Sequence, residues 1–306
     1  MALRKLHLFL LSADNAYQNL LRGDAEAAAS RHEVALTVHS ADNDAQRQAQ
    51  QIRDALKLPA DVRPDAILVA PPNEAKLATE AREAAKLGVG WALLNRSSTH
   101  IQDLRREFPN RSLFCVYADQ YQIGHIQGKQ FACLLPTGGH LFYLQGPVAA
   151  SSAERRLAGV REELASTSIT MNVFQADWTS AGAQRAAQFF SQSLGNSTPV
   201  NAVIGAQNDD MALGALAALK QLTETTERPE VATIPVTGCD GAPEFGQRMV
   251  DAGTIAATVV IPPTAGRAVD ALALALNTHR PHHRDIVLMV ASYPPLEELT
   301  RRSQKQ

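Results

Sequence analysis

Short apolar runs recur along the chain. Longer stretches lie between them in which apolar residues return every three or four positions. The runs are Leu6–Leu11, Val34–Val38, Ala66–Val69, Val89–Leu94, Leu113–Tyr117, His140–Leu144, Val173–Gln175, Ala202–Gly205, Ile234–Val236 and Ile255–Val260. They do not alternate strictly between apolar and polar, which suits strands covered on both faces. The intervening stretches Ala45–Leu56, Glu74–Leu87, Ala153–Leu164, Ala181–Leu194, Asp209–Leu222 and Thr264–Leu276 are rich in Ala, Gln, Glu, Leu and Arg, good helix formers. In one of them Ala212, Ala215, Leu216 and Leu219 share a helix face.

Strand followed by helix, repeated, predicts an α/β protein built on doubly wound parallel sheets. Ten strands are many for one open sheet, so two smaller sheets are expected, dividing near residue 118. No Pro/Gly/Ser linker marks the division. In such sheets ligands sit beyond the carboxyl ends of the strands. Polar residues collect at those ends here: Ser12, Asp14 and Asn15; Asn95 and Arg96; Asp119 and Gln120; Trp178; Asn208 and Asp209; Asp240.

Composition narrows the function. The chain has 306 residues, 45% hydrophobic and 20% charged, with a formal net charge of −2. That balance fits a folded core and gives no field to attract nucleic acid. Aromatics are only 5%, too sparse for a base-stacking surface. Cys115, Cys133 and Cys239 are far apart without CxxC spacing, so they read as small buried apolar residues. His279, His282 and His283 lie in a Pro- and Arg-rich stretch that reads as an exposed loop rather than a metal site. Lys5–Leu11 reads KLHLFLL, too short for the core of a secretion signal, and is expected to be the first strand.

Several catalytic and cofactor motifs fail. GHIQGK at Gly124–Lys129 has three residues between its glycines and Gln after its lysine, so it is not a P-loop. Gly124 and Gly128 are expected to let a helix pack closely. No GxGxxG follows the first strand, and there is no GxSxG, HExxH or kinase set. No catalytic residue, cofactor or metal is therefore expected.

Five stretches carry a resemblance. They are AQNDDMALGA (Ala206–Ala215), VTGCDGAP (Val236–Pro243), GTIAATVVIP (Gly253–Pro262), GPVAASSAERRLAGV (Gly146–Val160) and ALLNR (Ala92–Arg96). In order and content the chain from about Leu6 to Ala291 resembles the ribose-binding family of periplasmic binding proteins, whose fold also forms the effector domain of lac-repressor-type regulators. The resemblance implies two Rossmann-like lobes joined by a three-strand hinge, with ligand in the cleft between them. The implied lobes are residues 1–118 with 262–291 and residues 119–261 with 292–306.

The resemblance also implies ligand-binding residues. Arg156 falls where the family has its ligand arginine, and Arg96, Asn208 and Asp240 match directly. Trp178, after QAD, stands where an aromatic closes over a sugar. Asn15, Tyr17 and Gln18 lie in NAYQ, similar to the family's Asn-Pro-aromatic-aromatic loop. Three departures stand out: Asn95 replaces an aspartate, Gln18 an aromatic, and Ile261 the glutamine of ribose binders. They remove a carboxylate acceptor, a stacking face and an amide, and point away from ribose itself.

Each residue also has a plain structural reading. Asp240 could cap the helix that begins near Pro243, and Asp209 reads as a helix cap or first-turn acid. Arg156 could pair with Glu154 or Glu162 on a solvated face. Trp178 could simply pack between lobes, Tyr17 could staple the first helix, and Asn208 could serve a turn.

The implied function is capture of a monosaccharide or polyol by hinge closure and delivery to an ABC transporter permease. That would be a periplasmic role without catalysis, with contact to a membrane protein only and none to nucleic acid. The alternative is a cytoplasmic or signalling sugar sensor. No helix-turn-helix precedes Leu6, so direct operator binding is not expected.

Overall fold

The computed structural model describes residues 4–12, 16–71, 77–188, 201–226 and 229–304. The chain divides into two compact units, Met1–Ala118 with Pro262–Leu288 and Asp119–Ile261 with Met289–Gln306. It therefore passes from one unit to the other three times.

The first unit is built on a six-stranded parallel sheet. Its strands are β1 (Lys5–Leu10), β2 (Ala35–Ser40), β3 (Ala66–Val69), β4 (Gly90–Leu94), β5 (Leu113–Ala118) and β11 (Ile286–Leu288). The order across the sheet is β11-β5-β4-β3-β1-β2. Successive residues of a strand feed opposite faces. Leu6, Leu8, Leu68, Ala92, Leu94 and Phe114 join one core, covered by α1 (Ala16–Arg31) and α10 (Ala265–Thr278). Phe9, Ile67, Val69, Trp91, Leu93 and Leu113 join the other, under α2 (Ala45–Leu56), α3 (Ala78–Lys86) and α4 (Thr99–Glu107). Two-sided burial is why these strands read as continuous apolar runs.

The second unit repeats the plan on a four-stranded parallel sheet, β7-β6-β8-β9. The strands are β6 (Gly139–Gln145), β7 (Ile169–Gln175), β8 (Ala202–Ala206) and β9 (Val236–Thr237). One face carries α7 (Ser180–Gln188) and α8 (Asp209–Thr226), the other α5 (Gln120–Leu134) and α6 (Ser151–Leu164). A Cβ on Gly124 would overlap the Arg156 carbonyl, and one on Gly128 the Glu163 side chain. The GHIQGK glycines are thus packing residues. A short π-helical turn (Pro243–Gln247) runs into α9 (Arg248–Asp251), and α11 (Leu296–Ser303) packs on α5.

The structure corrects several expectations. There are twelve strands among the described residues, not ten. β11 and β12 (Ala291–Tyr293) have three residues each, too few to show a period. β10 covers only Thr258–Val260 of the expected Ile255–Val260 run, and it pairs antiparallel with β12 in a separate ribbon. The parallel architecture is therefore supplemented by a third, two-stranded sheet. Helices α1, α4, α5 and α11 were not among those read from the pattern. Parts of the stretches expected at Glu74–Leu87 and Ala181–Leu194 lie outside the described residues. Cys115 and Cys239 are buried, but Cys133 is partly exposed. The 279–285 loop is only partly solvated, because His282 packs its ring edge-on against Phe114 and donates its backbone N–H to Ser112 Oγ.

Candidate functional site

In each unit the sheet order reverses at one point, where consecutive strands leave to opposite sides. This happens at β1, between β2 and β3, and at β6, between β7 and β8. Loops diverge there and leave room beyond the carboxyl ends of the strands. The polar residues singled out in the sequence gather at these ends, one set in each unit.

In the first unit Asn95 directly follows β4 with φ 65, a left-handed backbone that Asn tolerates better than most residues. Its side chain is fixed from two directions. The Tyr17 hydroxyl donates to Asn95 Oδ1 at 3.2 Å and the Thr264 hydroxyl at 2.8 Å. Tyr17 thus ties the first turn of α1 to the end of β4, more than a staple to its own loop. Gln18 Oε1 accepts the Leu11 and Ser12 N–H groups at 2.9 and 3.2 Å, so its amide carbonyl holds the loop after β1. Arg96 Nε donates to the Pro71 carbonyl at 3.0 Å, bracing the loop after β3. Asn15 lies outside the described residues.

In the second unit Arg156 sits on α6 and is 7% exposed, so it does not lie on a solvated helix face. Its Nε donates to Gln120 Oε1 at 2.8 Å, and one terminal nitrogen donates to the Gln207 carbonyl. The guanidinium carbon lies 5.7 Å from the centre of the Trp178 ring, a cation–π distance. Trp178 itself has φ 69, strained for so bulky a residue. The ring rests on Gly146, where any Cβ would overlap it. Asn208 supports this arrangement. Its Oδ1 caps α8 by accepting the Met211 N–H at 2.7 Å, and its Nδ2 donates to the Trp178 carbonyl at 3.0 Å.

Asp240 follows β9 and is partly exposed, with φ 104. It does not cap the next helix, because Ala242 occupies that cap position without a side-chain bond. Burial pushes the Asp240 carboxyl well above the ordinary carboxylate range; Arg156 opposes the shift, while Asp209 and Asp210 add to it. Asp209 is buried, and burial raises its carboxyl to about 7, against hydrogen bonds from Thr258 and the Gly241 N–H. Among these three acids, Arg156 acts on Asp240.

Three residues now seen at the site were not singled out as binding candidates. Gln207, fully buried, accepts the Gly146 N–H at 3.0 Å and donates to the Tyr143 hydroxyl and the Ala153 carbonyl, locking the loop that carries α6. Its signal was its place as the first polar residue after the β8 run. Thr264 follows the Pro262–Pro263 pair, and only tertiary folding brings it to Asn95. Gln120 was noted as a strand-end polar residue, but nothing in the sequence pairs it with Arg156. Three of the seven non-glycine residues of positive φ among the described residues are Asn95, Trp178 and Asp240.

A family model described as a periplasmic binding protein domain matches residues 8–279. The chain belongs to the periplasmic binding protein family. Among curated members, a xylitol-binding protein of Mycolicibacterium smegmatis is 28% identical over 230 residues, 75% of this chain and 60% of that protein. The chain thus spans less than two thirds of that relative. The ribose import binding protein RbsB of Salmonella typhimurium is 25% identical over 261 residues, 85% of this chain and 79% of RbsB. Among solved structures, an ABC transporter periplasmic solute-binding protein of Actinobacillus succinogenes with bound D-allose superposes with a TM-score of 0.80 at 19% identity, covering 97% of this chain and 99% of that one. At that identity the likeness is one of fold, and it agrees with the alternating α/β plan of two lobes.

Among the described residues no group of three or more His, Cys, Asp or Glu side chains is placed to hold a metal ion, and no helix is long and apolar enough to cross a membrane.

Proposed function

We propose that this periplasmic binding protein captures a small, uncharged, polyhydroxylated ligand, a monosaccharide or related polyol, and hands it to an ABC-type importer. The observation that carries the reading is the second-unit set: Arg156, buried and over the Trp178 ring, beside the Asp240 carboxyl. A sugar or polyol has hydroxyls on its rim and C–H groups on its faces. Asp240 accepts from hydroxyls, Arg156 donates in a plane, and Trp178 covers an apolar face. Tyr17, Asn95 and Arg96 supply the polar groups of the first unit, with Gln18 and Asn208 bracing the loops that carry them. A buried group left unpaired by the wrong stereoisomer costs about 1–3 kcal/mol, enough to select.

The names of the relatives, one a xylitol and one a ribose binder, point to the same class of ligand. In this reading the protein binds and releases without turnover. It works outside the cytoplasm, and its binding residues touch ligand only. A ligand that engages groups of both units favours the arrangements in which both reach it.

The test is a thermal-melt screen against pentoses, hexoses, inositols and sugar alcohols, with uronic acids as charged controls. A ligand that binds only folded protein stabilises it by about 2.7 kcal/mol at a hundredfold excess over Kd. The expected outcome is an upward shift with one or a few neutral polyols and none with the uronic acids. The active compound should also lower the radius of gyration in small-angle scattering. Stabilisation by uronic acids alone would contradict the reading.

A further inference from the structure

One carboxylate beside the site contacts no exposed surface, yet every group it touches leads to Asp240. Asp209 is the first residue of α8 and is 1% exposed. Its backbone follows the Asn208 cap, but its side chain turns away from the helix. One oxygen accepts the Gly241 N–H at 2.8 Å, and the other accepts the Thr258 hydroxyl at 2.7 Å. The Cys239 N–H also points at this carboxylate. Two glycines make the slot it fills. A Cβ on Gly238 would overlap one carboxylate oxygen, and a Cβ on Gly246 would overlap the other.

The segment that Asp209 grips is the turn carrying Asp240. Gly241 has φ 59 and Asp240 φ 104, so two successive residues are held in the left-handed half of the backbone map. From the other side, the Gly238 and Asp240 N–H groups donate to the Ala257 and Val259 carbonyls at 2.8 and 3.0 Å. The Asp209 bonds to the Gly241 and Cys239 N–H groups oppose, from the α8 side, relaxation of Asp240 towards an ordinary φ.

We propose that Asp209 is a positioning residue: its buried carboxylate clamps the Gly238–Gly241 turn in its left-handed conformation and so fixes the direction in which Asp240 meets the ligand. The clamp touches no ligand and sets affinity through Asp240. The affinity part of the proposal rests on the polyol-binding reading; the clamp itself does not. Both clamp bonds use the carboxylate as acceptor, so ionised Asp209 holds the turn better than the protonated acid. Its raised ionisation places that change near neutral pH. The charged and titratable groups facing it are Asp210 on α8 and Asp240 and Cys239 on the turn; Arg156 on α6 faces Asp240 and the Cys239 thiol.

The experiment uses the full chain in three forms: wild type, Asp209→Asn and Thr258→Val. Asp209→Asn keeps the volume but places an amide donor among N–H donors. Thr258→Val keeps the β-branched shape and removes one hydroxyl donor. Without ligand, amide hydrogen exchange at pH 8 is expected to be at least tenfold faster at Gly241 in Asp209→Asn, with the Asp240 amide less affected. With xylitol and ribose as probes, Kd is expected to rise at least tenfold in Asp209→Asn and by less in Thr258→Val. The wild-type Kd should weaken from pH 8 to pH 6, and this dependence should shrink in Asp209→Asn.

Unchanged exchange at the Gly241 amide overturns the clamp whatever the ligand proves to be. A clamp lost with Kd unchanged overturns the link to Asp240. If neither probe binds wild type, these two compounds are not its ligands, and the exchange result alone decides on the clamp.

Discussion

At the residue scale, the candidate site is made of side chains whose local bonds are already committed to holding one another. Asn208 is the clearest case. Read from sequence it was both a ligand residue and a turn residue, and its two polar atoms are used on the α8 cap and on the Trp178 carbonyl. Gln18 similarly spends its carbonyl on the loop after β1. Both hold in place neighbours that are better placed to meet a ligand. The Trp178 ring depends on the missing side chain at Gly146. A Gly146→Ala substitution should push the ring off its seat and away from Arg156. We expect a Kd increase of about tenfold, equivalent to about 1.4 kcal/mol, in a fluorescence titration that follows Trp178. An unchanged affinity would remove Trp178 from the binding surface.

At the scale of elements, the runs legible in the sequence were those buried on both faces. β3, β4 and β8 read as unbroken apolar segments because every side chain meets a helix layer or core. α2 has the range expected from its good helix formers, and the structure adds a cap that fits, Asp44 accepting the Gln46 and Arg47 N–H groups. The short strands β11 and β12 and the helix α5 carried no such signal. α5 was obscured by its glycines and glutamines, whose work is tight packing on α6 and bonds to distant carbonyls such as Ala206 and Thr258. Among site residues, sequence order and resemblance brought out Arg156, Trp178 and Asp240. The contacts that orient Asn95 join positions 78 and 169 residues apart in the chain and could not be read from it.

The β1–β2 pair also carries a pH-sensitive contact. His7 and His39 face each other at 3.2 Å, and the His39 ring stacks on Phe9. Burial, then the neighbouring His39 and Lys5, lowers His7 from its ordinary value near 6.5 to about 4, and burial lowers His39 as well. Between those values the unfolded chain binds more protons than the folded one, so stability rises with pH across that window and is lost as pH falls from 6.5 towards 4. The pair thus lowers the melting temperature over that range, against the raised carboxyls of Asp209 and Asp240, so its share is read from the difference between wild type and a variant. His39→Phe keeps a ring on Phe9 and removes a proton site, so acidification should lower its melting temperature less than that of wild type. An identical slope would place the acid sensitivity elsewhere.

At the scale of the whole molecule, the same construction appears twice: a parallel sheet, a reversal of strand order, and polar residues beyond the carboxyl ends. The two sets differ in chemistry. The first offers a hydroxyl, an amide and the Arg96 guanidinium, and the second the Arg156 guanidinium, carboxyl groups and an aromatic face. The measurement that tests the central claim most directly is titration calorimetry of wild type, Arg156→Ala and Asp240→Ala with the polyol that gives the largest melt shift. The account predicts saturable one-to-one binding to wild type and at least a tenfold loss of affinity in each variant, with the fold intact by circular dichroism. Equal affinity in all three would contradict it.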